Sequence, residues 1–569
     1  MKIKGIPASP GIAIGKTFLY KENKLAIVEK SNLSKEEEIE RLVKGREIAK
    51  KQLEEIKENT LKKLGKDKAD IFEGHITLLE DEELFSEINS KISQKKCTAE
   101  FALNEAIDEY ANMLANLEDA YFKERAGDLR DIGKRWLYGV MNEQIVDLSK
   151  LGSETIIVAK ELNPSDTAQI NLDNVLAFVT EIGGKTAHSS IMARSLELPA
   201  VVGVGVVLDE LEDNQILIVD AIKGEVIVSP DTETLKIYKE KREKFLKEKE
   251  ELKALKDKEA ISKDGIKVDV WGNIGSPNDV KGIISNGGFG VGLYRTEFLF
   301  MEKDSFPTED EQFEAYKAVL EGMGDKPVVV RTLDIGGDKE LPYLDLPKEM
   351  NPFLGFRAIR LCLEEKDLFR TQLRALLRAS VYGKLCVMFP MIATVQEFRA
   401  AKALFLEEKE KLVAEGVAVS NDIELGIMVE IPSTAVIADI FAKEVDFFSI
   451  GTNDLVQYTM AADRMSEKVS YLYQPYNPAI LRLVKNVIEA SHKEGKWTGM
   501  CGEMAGDTLA IPLLLGMGLD EFSMSATSIL QARSQIKNLS LEKMKELVDK
   551  AIMCSTTEEV LELVEEYTK

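Results

Sequence analysis

The chain has 569 residues, 44% of them hydrophobic, which is enough for roughly three or four domains with apolar cores. Its 74 basic and 98 acidic side chains give a net charge of −24, so nucleic acid and anionic membrane surfaces are poor partners. No apolar run approaches the roughly 18 residues that span a bilayer, and the five cysteines show no paired spacing. We therefore expect a cytoplasmic protein without membrane insertion, a disulfide framework or a zinc site.

The first part of the chain contains a strand pattern that is followed by a long helical region. Residues 12–20 have the pattern of a strand, and Ser34 with Glu37 has the spacing of a capping box. Apolar residues at helical spacing then continue to about Asn142 without a convincing strand. We predict an all-helical domain over residues 31–144, inserted into another domain.

Strand patterns return after the helical region and alternate with helical ones. They fall at residues 155–159, 175–179, 201–204, 216–219 and 225–228. Together with the N-terminal strand, they predict an α/β domain formed by residues 1–30 and 145–230. Residues 231–262 are rich in Lys, Glu and Leu, which is typical of a solvated helical linker.

From residue 263 to 569, short apolar strands recur, each followed by a helical stretch. Eight strands in roughly 300 residues is the number and size of a (β/α)8 barrel. The predicted strands are residues 268–271, 290–294, 327–330, 353–356, 385–389, 425–429, 447–450 and 498–500. The predicted fold class is therefore multidomain α/β, in which an α/β domain with an inserted helical domain precedes a C-terminal TIM barrel.

Charged and reactive side chains follow most of the predicted barrel strands, at the end where such barrels carry their active sites. Arg295 follows the second strand, Arg331 the third, Arg357 the fourth, Glu430 the sixth, Asn453 and Asp454 the seventh, and Cys501 the eighth. An arginine after an apolar strand is costly to bury without an anion, and its planar fork suits phosphate and carboxylate oxygens. Two carboxylates beside such arginines suit Mg2+ or Mn2+. Each residue alone is explained by an ion pair at the barrel rim, whereas the whole set predicts a binding site.

One of the three histidines of the chain, His188, lies in the segment Gly-Gly-Lys-Thr-Ala-His-Ser-Ser-Ile-Met-Ala-Arg at residues 183–194. The glycines permit close approach of a ligand, and the hydroxyl residues can begin a helix whose N-terminus attracts an anion. For an isolated motif, a helix cap with a packed histidine is the simpler interpretation. The cluster at the barrel rim supplies the missing donor site and favours a histidine that carries a phosphoryl group.

Two segments resemble the signatures of the phosphoenolpyruvate-utilising enzymes. Residues 183–194 resemble their phosphohistidine signature, and Asp-Phe-Phe-Ser-Ile-Gly-Thr-Asn-Asp-Leu-Val-Gln at residues 446–457 resembles the signature of their substrate barrel. With the helical insertion and the length, the whole chain is similar to the enzyme I family of the bacterial sugar phosphotransferase systems. This resemblance implies phosphoenolpyruvate as substrate, Mg2+ as cofactor with Mn2+ as an alternative, and a homodimer formed through the barrel. It also implies that the helical domain binds HPr, a small carrier protein with a reactive histidine.

The resemblance further implies a role for each matching residue. His188 would attack the phosphorus of phosphoenolpyruvate, hold the phosphoryl group and pass it to HPr, and Cys501 would protonate the enolate to release pyruvate. The other matching residues are Thr167 beside the histidine, Arg295, Arg331, Arg464 and Asn453 around the phosphate and carboxylate, Glu430 and Asp454 as Mg2+ ligands, and Arg357 in a supporting role.

Two other functions are weighed against this one. Pyruvate phosphate dikinase and phosphoenolpyruvate synthase share both signatures, but they need an additional ATP-binding domain, for which no segment here has the length or the Gly-rich loop. A non-catalytic, phosphorylation-dependent regulator is disfavoured because every catalytic position is filled. His188 and the barrel arginines fall in different predicted domains, so we expect movement at the linker.

Overall fold

The computed structural model describes residues 1–21, 25–64, 66–116, 120–184, 187–301, 303, 305–337, 339, 341, 343–344, 346–466 and 468–569. The chain divides into two compact units, Met1–Glu248 and Lys249–Lys569. Across these described ranges, no helix has both the length and the apolar character needed to cross a membrane.

The N-terminal unit contains one mixed sheet. Its strands are β1 (Lys2–Lys4), β2 (Ile6–Ser9), β3 (Ile12–Tyr20), β4 (Thr155–Ala159), β5 (Val175–Thr180), β6 (Ala200–Val202), β7 (Ile216–Asp220) and β8 (Glu225–Val228), in the spatial order β1-β8-β7-β3-β4-β5-β6-β2. The central strands β3 to β6 run parallel. At the edges of this group β2 pairs antiparallel with β6 and β7 pairs antiparallel with β3, and β8 and then β1 continue the sheet antiparallel beyond β7. All five residues of β4 are buried, as the unbroken apolar run of a central parallel strand requires.

A helical region is inserted between β3 and β4. Its helices are α1 (Lys35–Leu64), α2 (Lys66–Leu79), α3 (Glu82–Lys95), α4 (Ala99–Ala115) and α5 (Ala120–Met141). The predicted capping box precedes α1, because the N–H of Glu37 donates to Ser34 Oγ at 3.2 Å and the N–H of Ser34 donates to Glu37 Oε2 at 2.8 Å. Short helices α6 (Pro164–Thr167) and α7 (His188–Ser195) follow β4 and β5, and the long helix α8 (Thr232–Lys253) follows β8.

The C-terminal unit is built on a closed parallel barrel. Its strands are β9 (Ala260–Ile261), β10 (Lys267–Ile274), β11 (Val291–Arg295), β12 (Pro327–Arg331), β13 (Lys384–Phe389), β14 (Glu424–Val429), β15 (Phe447–Ile450), β16 (Trp497–Met500) and β17 (Glu521–Met524). The barrel consists of β10 to β17 and closes because β10 pairs in parallel with both β11 and β17. Residues 260–261, at the end of the predicted linker, form β9, which pairs antiparallel with β10.

Helices surround the barrel and complete its core. They are α9 (Val280–Ser285), α10 (Glu297–Met301), α11 (Glu309–Met323), α12 (Ile359–Glu364), α13 (Lys366–Ala379), α14 (Val395–Ala414), α15 (Pro432–Val436), α16 (Ala438–Phe441), α17 (Thr452–Met460), α18 (Pro478–Lys493), α19 (Ile511–Met517), α20 (Ile529–Asn538), α21 (Leu541–Ala551) and α22 (Thr557–Thr568). One continuous apolar cluster joins the outward faces of the strands to these helices. The predicted fold class is confirmed.

One predicted barrel strand is wrong. Residues 353–356 do not form a strand, because Pro352–Leu354 is a single 3-10 turn and Leu354 is 64% exposed. Proline cannot donate to a strand ladder and favours the start of a helical turn, so the apolar Phe-Leu-Gly-Phe run misleads. Arg357 therefore does not follow a barrel strand but lies in the long connection between β12 and β13.

The eighth barrel strand is β17, which was not predicted. Glu521 and Ser523 share the interior face of this strand, while Phe522 and Met524 pack among the helices, so the strand lacks a continuous apolar run. The predicted order of the strands is corrected accordingly. Glu430 follows the fifth barrel strand, Asn453 and Asp454 the sixth, and Cys501 the seventh.

Candidate active site

One cavity of about 790 Å³ lies at the carboxyl ends of the barrel strands. Its walls contain all the barrel residues predicted for the site. These are Arg295, Arg331, Arg357, Glu430, Asn453, Asp454, Arg464 and Cys501. They come from the ends of β11, β12, β14 and β16, from the first turn of α17, and from two connections. Parallel strands bring these distant parts of the chain to one rim, as the barrel geometry predicts.

A buried ion cluster forms one side of the cavity. Arg331 lies between two carboxylates, with Nη2 at 2.5 Å from Glu297 Oε1 and Nη1 at 3.0 Å from Asp334 Oδ2. Arg357 Nη2 is 2.8 Å from Asp334 Oδ1, and Lys339 Nζ is 2.8 Å from Glu297 Oε1. These three cations share two carboxylates, Arg357 also lies 3.8 Å from Asp454 Oδ2, and the guanidinium groups suit phosphate or carboxylate oxygens.

The cluster stays ionised although it is buried. Burial alone raises the pKa of Asp334, but the charges of Arg331, Arg357 and Lys339 outweigh it and hold that pKa well below its usual range. Burial lowers the pKa of Arg331, yet the carboxylates of Glu297 and Asp334 keep it above its ordinary value. Each charge depends on its partners, so removing one member leaves the others buried and unpaired.

Two further arginines of the cavity wall, Arg295 and Arg464, form no close ion pair with a carboxylate of the described residues. The Arg295 guanidinium lies 5.2 Å from the centre of the Phe298 ring, is exposed, and has no ion pair with any residue in the described part of the chain. Arg464 Nη1 lies 3.8 Å from Asp454 Oδ1, and its side chain is 29% exposed. Both cations can turn toward an anion in the cavity without breaking a close ion pair.

The cavity wall contains two carboxylates that influence each other, those of Glu430 and Asp454. Glu430 is buried, and its Oε1 accepts the N–H of Met391 at 2.5 Å. Burial, together with the charges of Asp454 and Asp334, raises the pKa of Glu430 to about 8. Asp454 Oδ1 is buried and has no hydrogen-bond donor among the described residues. A divalent cation bound between Glu430 and Asp454 would satisfy the orphaned oxygen and remove the repulsion.

Cys501 and Asn453, the thiol and the amide of the predicted site, follow the neighbouring strands β16 and β15. Cys501 follows β16 and is buried, and burial raises the pKa of its thiol to about 12 although the charge of Arg331 acts in the opposite direction. The thiol is therefore protonated near neutral pH and can act as a proton donor. Asn453 Nδ2 donates to Glu503 Oε1 at 3.3 Å, and the N–H of Glu503 donates to Asn453 Oδ1 at 3.1 Å.

The two remaining predicted residues belong to the N-terminal unit. His188 is the first residue of α7, and its side chain, like residues 185–186, lies outside the described part of the chain. Thr167 is the last residue of α6, which packs against α7. The hydroxyl of Thr167 is buried and donates to Pro164 O at 2.9 Å and Asn163 O at 3.2 Å, as in a helix-terminal hydrogen bond.

Sequence reasoning missed several residues of the cavity. Glu297, Asp334 and Glu503 each contact a predicted residue, Lys339 pairs with Glu297, and Asn273 at the end of β10 lines the same wall. In the sequence, Glu297 stands two positions after Arg295, and Asp334 and Lys339 stand three and eight positions after Arg331. The rule that a buried arginine needs a carboxylate would have identified Glu297 and Asp334.

Comparisons with protein families match three successive segments of this chain. Residues 4–125 match the N-terminal domain of the PEP-utilising enzymes, residues 151–224 their mobile domain, and residues 249–541 their PEP-binding domain. PEP is phosphoenolpyruvate. The fold and the barrel cavity are thus those of a PEP-utilising enzyme.

Similar proteins identify a more specific family for this chain. The chain is 60% identical to the phosphoenolpyruvate-protein phosphotransferase of Bacillus subtilis over 100% of both chains. It is 58% identical to that of Staphylococcus carnosus over 100% of this chain and 99% of the relative. An NMR solution structure of Enzyme I is 44% identical, covers 43% of this chain and 99% of its own, and has a TM-score of 0.39. The chain belongs to the phosphoenolpyruvate-protein phosphotransferase family, whose members are enzymes I of the phosphotransferase system.

Proposed function

We propose that this protein transfers the phosphoryl group of phosphoenolpyruvate to its own His188 and then to a histidine of the carrier protein HPr, with release of pyruvate. The single observation that supports this most strongly is the cavity at the barrel rim. It combines four arginines and a lysine, a pair of carboxylates that suits a divalent cation, and a protonated thiol. Phosphoryl transfer depends on positioning and charge neutralisation, which these groups provide.

The arginines bind and orient the substrate in this proposal. Arg295 and Arg464 close on the phosphate and carboxylate oxygens, because their guanidinium groups lack close ion pairs in the structure. Arg331 adds its charge from the buried cluster, and Arg357 supports it through their shared partner Asp334. Asn453 adds an amide donor whose orientation Glu503 holds.

The cofactor in this proposal is Mg2+, for which Mn2+ can substitute, bound by Glu430 and Asp454. The described residues contain no group of three or more side chains that would form a complete metal site. Mg2+ is commonly held by one or two carboxylates together with substrate oxygens and water, so this pair fits it. When bound, the ion would neutralise the negative charge on the phosphate and enolate oxygens.

His188 and Cys501 carry the two bond changes. A nitrogen of His188 forms a bond to phosphorus as the bond to the enol oxygen breaks, and the electron pair remains on that oxygen. The enolate then takes the proton of the Cys501 thiol at its methylene carbon and becomes pyruvate, which leaves a thiolate that regains a proton from water. The raised pKa of the thiol keeps this proton in place until the enolate forms.

The domain roles follow from the same proposal. Residues 1–30 and 145–230 carry His188 and Thr167, residues 31–144 bind HPr, residues 231–262 form the linker, and residues 263–569 bind phosphoenolpyruvate and form a homodimer. Acidic residues 80–83, in the turn after α2 and the first turn of α3, offer a negatively charged edge for a basic carrier. A cytoplasmic location is supported by five cysteines that are all free thiols.

Labelled phosphoenolpyruvate tests the proposal. With Mg2+, phosphorus-labelled substrate should label the wild-type protein and, after HPr is added, the label should move to HPr with one pyruvate formed per phosphoryl group. A His188→Ala variant should remain unlabelled. Labelling of His188→Ala at the wild-type rate would rule out His188 as the acceptor.

A further inference from the structure

The side chain of Asn273 forms three hydrogen bonds beneath the cavity. Asn273 is the penultimate residue of β10, and its Nδ2 donates to the carbonyl oxygen of Cys501 at 3.1 Å and to that of Ser523 at 3.4 Å. Its Oδ1 accepts the hydroxyl of Ser523 at 2.6 Å. One half-buried amide thus joins the ends of three barrel strands, β10, β16 and β17.

Ser523 fixes which way the Asn273 amide points. A hydroxyl donates to an amide oxygen, so this bond holds Oδ1 toward Ser523 and leaves Nδ2 directed at Cys501. Ser523 is fully buried and close to Gly292, where an added Cβ would lie 2.4 Å from Ser523 Oγ. The Ser523 side chain therefore has little room to move, and its hydroxyl can hold the Asn273 amide in one orientation.

Cys501 needs such a support because it stands just beyond its strand. Its N–H donates to Ile450 O at 3.2 Å, which holds the amino side of the residue. Gly502 follows directly and packs closely against Thr452, because an added Cβ would lie 1.9 Å from Thr452 Oγ1. The bond from Asn273 Nδ2 to Cys501 O adds a restraint on the carboxyl side, whereas the thiol itself contacts Ile450 O only at 4.0 Å.

We propose that Asn273 is a positioning residue for Cys501, and that the amide holds the thiol at the place from which it gives its proton to the enolate of pyruvate. This inference rests on the proposed function. In the described part of the chain, Asn273 makes no hydrogen bond with the arginines or with Glu430 and Asp454, so its loss should disturb proton transfer much more than substrate binding. A misplacement of even a fraction of an ångström lowers the rate of such a transfer substantially.

The test uses the full-length protein with Mg2+ and compares two readouts. The first is the rate at which the methyl hydrogens of pyruvate exchange with D2O while phosphoenolpyruvate, pyruvate and the phosphorylated protein interconvert, followed by proton NMR. The second is the KM for phosphoenolpyruvate. For Asn273→Ala we expect exchange to slow about tenfold or more, with the KM within about twofold of wild type.

The matched control is Asn486→Ala on α18. Asn486 Nδ2 also donates to two backbone carbonyls, those of Ala435 at 2.7 Å and Val436 at 3.5 Å, but it lies outside the cavity. This variant should keep both readouts within about twofold of wild type. If Asn273→Ala and Asn486→Ala show equal exchange rates, or if Asn273→Ala raises the KM more than it slows exchange, Asn273 does not position the thiol.

A second variant covers the case in which Asn273→Ala does not fold. Ser523→Ala keeps the amide but frees it to rotate, so exchange should slow by about threefold to tenfold with an unchanged KM; wild-type exchange in this variant would overturn the inference. A different result would refute the proposed function itself, namely that the wild-type protein forms no pyruvate from phosphoenolpyruvate. An active wild type with unaffected variants would refute only the role of Asn273.

Discussion

Replacing Asp334 by Asn tests the buried ion cluster that shapes the cavity. Asp334 is 1% exposed and lies within 3.0 Å of both Arg331 and Arg357, so the Asp334→Asn variant leaves two buried guanidinium groups without their shared carboxylate. Breaking a buried ion pair by removing one partner costs about 3–5 kcal/mol. For the unit Lys249–Lys569, with an unfolding entropy of about 2.1 cal/mol/K per residue, this loss lowers the midpoint temperature by about 4–7 °C.

Thermal unfolding followed by tryptophan fluorescence measures the effect, since Trp271 and Trp497 lie in the barrel with ring centres 5.7 Å apart. The matched control is Asp549→Asn. Asp549 is 71% exposed and pairs with Lys485 at 3.1 Å, so its loss should lower the midpoint by less than about 1 °C. If Asp334→Asn lowers the midpoint no more than Asp549→Asn, the cluster does not stabilise the barrel rim.

The effect of Asp334→Asn also has a predicted pH dependence. The pKa of Asp334 in the folded protein is held well below its usual range, so ionised Asp334 stabilises the fold above the unfolded value of about 4. That stabilisation is lost as the pH falls through the folded pKa. The difference in midpoint between wild type and variant should therefore be the same at pH 7 and pH 5 and should shrink only below about pH 4. A difference that disappears between pH 7 and pH 5 would contradict the assignment of charge.

Three further variants probe separate parts of the site. Arg295→Ala should raise the KM for phosphoenolpyruvate about 10- to 100-fold in initial-rate assays, because a charge-assisted hydrogen bond contributes about 1.5–3 kcal/mol, while the unfolding midpoint should stay unchanged. Glu430→Gln should weaken Mn2+ binding at least about tenfold in an electron paramagnetic resonance titration, and wild-type affinity would exclude Glu430 as a ligand. Gly336→Ala should destabilise the protein by about 1–3 kcal/mol in calorimetry, since Gly336 has φ +107° and an added Cβ would lie 2.5 Å from Arg357 Cβ. A neutral Gly336→Ala would show that Arg357 can move aside.

The barrel and its rim were predictable because parallel strands buried on both faces are apolar without interruption. The run Pro-Val-Val-Val-Arg of β12 is an example, and the arginine that ends it marks the rim. The same rule fails where an apolar run follows a proline, as at residues 353–356, or where polar groups face the barrel interior. Glu521 is such a group, because Gly499 on the neighbouring strand β16 and Gly292 on β11 leave the space that its carboxyl group occupies. That space is visible only in the packed barrel and not in the sequence pattern.

The partners of the predicted residues were harder to predict than the residues themselves. Lys339 and Asp334 reach the cavity through a turn in which Gly336 has a positive φ, so their direction depends on backbone geometry that spacing does not encode. Asn273 looked like an ordinary residue at the end of a strand, and its bond to Cys501 O joins residues 228 positions apart. The roles of Thr167 and His188 stay predictions from the family resemblance.

The most direct test is to locate the phosphoryl group on the protein. The full-length chain is incubated with Mg2+ and phosphorus-labelled phosphoenolpyruvate, quenched in base and digested, and the labelled peptide is identified by mass spectrometry. We predict a single acid-labile, base-stable phosphoryl group on the peptide that contains His188. Label on any other residue, or no label while pyruvate accumulates, would contradict a transfer from the barrel cavity to His188.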